Sequence, residues 1–169
     1  MDLAINRSAS ANVGSGAPGR MMRWTQSALH MAEQWLAPAA DFGIRLLVAS
    51  VFFKSGLTKI ASWSTTLALF ENEYAVPLLP PELAAYLGTG VELGLPILLV
   101  LGLGTRLSAV VMFVFNIIAV ISYPDLSEVG LKDHQYWGLL LLVTLFHGPG
   151  RLSLDHLIRR RFLRSEQRS

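Results

Sequence analysis

The sequence predicts an all-α polytopic membrane protein: a four-helix transmembrane bundle with an N-terminal interfacial helix and a C-terminal amphipathic basic helix. Three observations carry this reading. Of 169 residues, 52% are hydrophobic and only 15% charged, well below the charge content of a soluble domain. Apolar runs of bilayer length, about 20 residues each, recur near 41–61, 82–104, 106–123 and 131–148. The charges alternate with these runs: Arg7, Arg20, Arg23, Arg106 and the arginines from Arg151 to Arg168 fall on one side of a four-span arrangement. The other side keeps only Lys132 among seven charged loop residues from Glu71 to Asp133, with Glu92 left out of that count. The positive-inside rule then puts both termini in the cytoplasm.

Each element has its own signal. Residues 1–20, rich in Ala, Ser and Gly, read as a disordered tail without a signal-peptide core. In 21–38 the apolar residues Met21, Trp24, Ala28, Met31 and Trp35 recur at three- and four-residue steps, which suits a helix lying in the membrane interface and ended by Pro38. The membrane domain covers 39–155. Its first span is followed by an acidic, proline-broken loop over 62–81. The second span contains Gly90 and Gly94, a GxxxG spacing that admits another helix closely, and the turn at Gly104-Thr105-Arg106 leads to a third with Asn116 at its middle. The fourth follows a polar loop holding His134. From the end of the membrane domain into the basic tail, 156–169, Leu154, Leu157, Ile158 and Phe162 repeat at helical spacing beside Arg159, Arg160, Arg161 and Arg164, a pattern that docks on anionic lipid.

The first span carries three cations, and a charge at the bilayer centre costs about 2.5–3.5 kcal/mol on insertion scales. At about 100° per residue, Phe52, Gly56 and Lys59 share a face with Arg45, whereas Lys54 points to the opposite side. Compared by depth, Lys54 and Glu92 of the second span come level and could meet. Arg45, Lys54, Lys59 and Glu92 are therefore the ligand-site candidates, and no catalytic residue is assigned. His147, at the inner end of the fourth span, suits capping of the helix carbonyls.

The absence of cysteine removes a thiol nucleophile, an iron–sulfur centre and covalent haem. His30, His134, His147 and His156 are scattered without ligand spacing, so no metal site is expected, and no intrinsic cofactor is evident. Phosphate-loop and dinucleotide motifs are missing, and the arginine cluster reads as a topology signal rather than a nucleic-acid surface.

Three stretches together resemble the DoxX family of small bacterial membrane proteins, related to the DoxD-like and MauE-like groups. They run from Phe42-Gly43-Ile44-Arg45 to Gly56-Leu57-Thr58-Lys59, from Val91-Glu92-Leu93-Gly94 to Gly104-Thr105-Arg106, and from Gly148-Pro149-Gly150-Arg151 to Ser153-Leu154-Asp155. Coverage is about Asp41 to Asp155. Arg45, Gly56, Lys59, Glu92, Gly94 and Arg106 match the family pattern, as do Gly148, Pro149, Gly150, Arg151, Ser153 and Asp155. Where the family often reads His-Gly-x-x-Lys, this chain has Ser55 at the His position. The resemblance implies four helices in a bacterial inner membrane and association with oxidoreductases, thiosulfate:quinone oxidoreductase among them, or with thiol stress and detoxification. The leading expectation is a membrane subunit of such a system, with a quinone-like ligand between the first two spans and an oxidoreductase partner subunit. The rival is a non-enzymatic scaffold or small-solute transporter. The terminal motif reads as a helix stop and restart, in which Ser153 or Asp155 accepts hydrogen bonds from the first amides of the tail helix.

Overall fold

The computed structural model describes residues 17–166, so the tail expected at 1–20 lies largely outside the described residues. The chain divides into two compact units, one ending at Pro38 and the other beginning at Ala39. In the first unit, α1 (Ala17–Met31) continues into a π-helical turn, Ala32–Leu36. Trp24, Met31 and Trp35 are all exposed on it. Pro38 does not end this helical run as expected. The run passes straight into α2 (Ala37–Ala61), and the π-helical turn, whose last bond runs from the Ala37 N–H to the Ala32 carbonyl, directly precedes the proline, so that only the one bond its missing N–H would make is lost.

The second unit consists of α2, α3 (Trp63–Asn72), α4 (Pro81–Leu101), α5 (Thr105–Ser122), α6 (Glu128–His147) and α7 (Leu154–Glu166). No β-strand occurs among the described residues. Three helical segments are long and apolar enough to cross a membrane: one within Met22–Ala61, one at Pro81–Leu101 and one at Thr105–Ser122. Their outward faces are apolar. Leu46, Leu47 and Leu57 on α2 and Leu107, Val114 and Ile121 on α5 are exposed, a lining that water would not tolerate over so large an area and lipid does.

The helix limits follow from local chemistry. Gly102 has φ of 67°, and the N–H of Leu103 bonds the carbonyl of Leu98, a left-handed stop that ends α4 at Leu101 rather than near 104. A side chain at Gly102 would press on the backbone of Ser153, with Cβ 2.9 Å from its Cα, so both the backbone sign and the close approach demand glycine. The α6 helix starts at Glu128 instead of 131 because Ser127 accepts the N–H of Gly130 as its N-cap. The segment 62–81 is not all loop. Trp63, Leu67 and Phe70 recur at helical spacing, and Phe70 packs with Ala84 and Ala85 of α4, so α3 forms before the prolines begin at Pro77. Thr66 ties α3 to the end of α2 through its hydroxyl on the Lys59 carbonyl, at 2.9 Å.

The main core joins Val48, Ala49 and Phe52 of α2 to Leu99, Ala109, Met112 and Leu141. Phe52 meets Phe115 and Trp137 edge to face, at 6.2 and 5.9 Å between centroids. Gly90 and Gly94 were expected to admit a neighbouring helix, yet a methyl at either would meet nothing within 4 Å. The close approach falls at Gly56, where a methyl would come 2.8 Å from Leu93 on α4.

Candidate ligand site

The α2 face anticipated from periodicity is the buried one: Arg45, Phe52 and Gly56 are buried and Lys59 nearly so, while Lys54 is exposed on the other side. Lys59 therefore points at α4, and Glu92 pairs with it rather than with Lys54. Lys59 Nζ lies 2.7 Å from Glu92 Oε2 and 2.8 Å from Oε1. It also donates to Ser55 Oγ at 2.9 Å, and Ser55 in turn donates to Glu92 Oε1 at 3.1 Å. The Glu92 side chain is only 7% exposed and that of Lys59 18%, so the two charges compensate each other where water is scarce. Ser55, the residue that departs from the family pattern, closes this triad. Pro96, one turn after Glu92 and buried, has no N–H for the Glu92 carbonyl.

The triad opens on a cavity of about 290 Å³ between α2, α3, α4, α5, the 73–79 loop and the start of α6. Its wall is mainly apolar and aromatic, including Phe70, Tyr74, Phe115 and Tyr123, with Ser122 and His134 as further polar groups. Lys59 and Glu92 line it. Lys54 and Arg45 do not.

Arg45 belongs to a second cluster at the far end of α2, 14 residues or about 21 Å of helix from Lys59. Only 1% exposed, it donates to the carbonyls of Leu99, at 3.3 Å, and Leu152, thereby joining α2 to the end of α4 and the middle of the terminal motif. Ser153 accepts the His156 N–H at 3.1 Å and caps α7. Asp155 caps a different helix from the one anticipated: its oxygens accept the N–H groups of Gly104 and Thr105, both at 2.9 Å, and the Thr105 hydroxyl at 3.0 Å. The turn between α4 and α5 brings these donors out because Gly104 is itself left-handed. Gly148, after α6, packs under the Arg106 guanidinium, and Gly150 packs against Asp41. Pro149 between them is half-buried, and Arg151 is exposed. The exposed His147 lies 3.4 Å from Asp41.

Asp155 lies outside the spans, and its carboxyl sits below the ordinary carboxylate range. Burial pushes it up, but the Thr105 and Gly104 N–H groups, the Thr105 hydroxyl and the nearby Arg45 outweigh that. The folded value is thus lower than the unfolded one. The stabilisation is complete above the ordinary value, about pH 3.9, and is lost as pH falls through the folded value. Asp155→Asn should flatten the acid limb of Tm against pH below about pH 4. An acid limb of unchanged steepness would show that the cap adds no proton-linked stability.

Sequence reading missed three parts of this arrangement. The Ser55 bridge was readable as an i to i+4 partner of Lys59. The pairing of Asn116 with His134 and the capping of α5 by Asp155 join distant segments and carry no local signal.

This is a multi-pass helical membrane protein with a paired lysine and glutamate buried between its first two long helices. The chain matches the DoxX family over residues 40–124, and it belongs to that family. That match takes in Arg45, Lys59, Glu92 and Arg106 and stops short of the motif at 148–155. A protein of Haemophilus influenzae, described only as uncharacterized, is 31% identical over 126 residues, 69% of this chain and 82% of that one. No solved structure matches the chain.

Proposed function

We propose that the cavity beside Lys59 and Glu92 binds a small amphipathic, quinone-like aromatic ligand, and that the protein serves as a membrane subunit of a redox or detoxification system. The observation that carries this reading is the compensated Lys59, Glu92 and Ser55 triad opening on an otherwise apolar, aromatic cavity. Burying such a pair is unfavourable beside an apolar core of the same volume, so its presence at a cavity wall points to a ligand. The size and the aromatic lining fit a single substituted ring. Phe115 and Tyr123 would line its ring, while the Lys59, Glu92 and Ser55 triad would form the polar end of its site; the ligand would supply the redox chemistry and the protein the binding and orientation. In this reading α6 is the fourth span, making a four-helix bundle, and the first unit lies in the interface. The arginine distribution supports a bacterial inner membrane with both termini on the cytoplasmic side. The exposed Leu157, Ile158, Arg159, Arg160 and Arg161 of α7 rest on anionic lipid, and an oxidoreductase subunit is the partner.

Gly88 offers a test that leaves the charges alone. A methyl there would sit 3.6 Å from Phe70 and 3.7 Å from Phe115, in ordinary contact, so Gly88→Leu should fill the cavity without dismantling the helices. Wild-type protein purified in mild detergent should yield an extractable quinone-class ligand, and the Gly88→Leu protein much less. No such ligand in the wild type, or equal amounts in both, would defeat the reading.

A further inference from the structure

Asn116, buried near the middle of α5, fixes the chemical state of His134 on the cavity wall. Asn116 Nδ2 donates to the backbone carbonyl of His134 at 2.9 Å. A carbonyl only accepts, so the amide nitrogen must face it and the amide oxygen must be the atom 2.8 Å from His134 Nδ1. That oxygen also only accepts. The proton of the neutral ring is therefore on Nδ1, and Nε2 is left with a lone pair. Nε2 has no protein partner among the described residues, and the ring lines the cavity, held edge to face by Trp137 at 4.8 Å. Ser122, also on the wall, is 4% exposed and its Oγ has no partner among the described residues.

The other side of the cavity has the same polarity. The Lys59 ammonium is directed at both Glu92 oxygens and Ser55 Oγ, which leaves it no idle donor. Glu92 is an acceptor by nature. Ser122 and the phenols of Tyr74 and Tyr123 can turn either way. The unfilled polar atom of the wall whose role is fixed, His134 Nε2, is thus an acceptor.

We propose that the site selects a ligand that donates hydrogen bonds, a hydroxylated aromatic ring, over its diketone counterpart, with His134 Nε2 as the acceptor that discriminates and Asn116 as the residue that positions it. This rests on the reading of the cavity as a ligand site. One hydrogen bond, with an unpaired buried group left behind when it is missing, corresponds to about a tenfold difference in affinity.

The test is anaerobic calorimetric titration of the full chain in nanodiscs with trimethylhydroquinone and with trimethylbenzoquinone. The wild type should bind the hydroquinone about tenfold more tightly. His134→Phe should bring the ratio to about one while leaving quinone affinity nearly unchanged, because it removes only the acceptor. Asn116→Leu, which frees the ring to take either tautomer, should lower the ratio as well. Equal affinities in the wild type, or a preference for the quinone such as a protonated ring would give, overturn the selectivity and leave the cavity reading standing. Binding of neither compound overturns both. The wild-type ratio decides the matter even if a variant fails to fold.

Discussion

Replacing Lys59 with Met, or Glu92 with Leu, should each destabilise the protein by about 3–5 kcal/mol, and the double replacement should recover most of that loss. The two charges touch at 2.7 Å with little exposure, so either single change strands the other charge away from water. The double change leaves two apolar side chains of similar volume in a wall that is already apolar. Ser55 limits the recovery, since its hydroxyl loses both partners. Unfolding in mixed micelles gives the four free energies of the cycle. Additive losses would mean that each group is stabilised by something other than its partner. Ligand binding should fail in the double variant even though the fold survives, which separates a functional pair from a structural one.

Arg45→Met should cost about 3 kcal/mol or more, and Arg45→Lys should restore little of it. The guanidinium is buried and reaches two carbonyls belonging to separate segments, each such charge-assisted bond contributing about 1.5–3 kcal/mol. A lysine ammonium reaches one of these positions but cannot present the planar fork that spans both. Because Leu152 precedes the cap of α7, the loss should also show locally, as faster hydrogen exchange at Ser153 to Arg161. A Lys variant as stable as the wild type, with unchanged exchange there, would show that the charge matters and the fork does not.

The buried face of α2 was legible in the sequence because four residues, Arg45, Phe52, Gly56 and Lys59, repeat at the helical period. The partner of Glu92 was harder to read. Depth along the helices suggested Lys54, but direction around the helix decides which side chain reaches a neighbour, and direction favours Lys59. The apolar spacing of Trp63, Leu67 and Phe70 also announced α3, yet the glutamates and prolines that follow dominated the composition of 62–81. Gly90 and Gly94 gave the right kind of signal on the wrong face, since a spacing does not say which side is covered. The side of the cavity built by His134 depends on the register of α5 against α6, which Asn116 sets through space. Asp155 likewise acts across about fifty residues on a turn whose left-handed glycines only the backbone reveals.

Photocrosslinking would test most directly whether the cavity holds the ligand. A diazirine-bearing trimethylhydroquinone, irradiated with the full chain in nanodiscs and mapped by mass spectrometry, should label Tyr74, Phe115 and Tyr123. Unmodified hydroquinone should compete the labelling away, and Gly88→Leu should abolish it. Labelling spread over the outward faces at Leu46, Val114 and Phe146, insensitive to competitor, would place the compound in the bilayer and contradict a site beside Lys59 and Glu92.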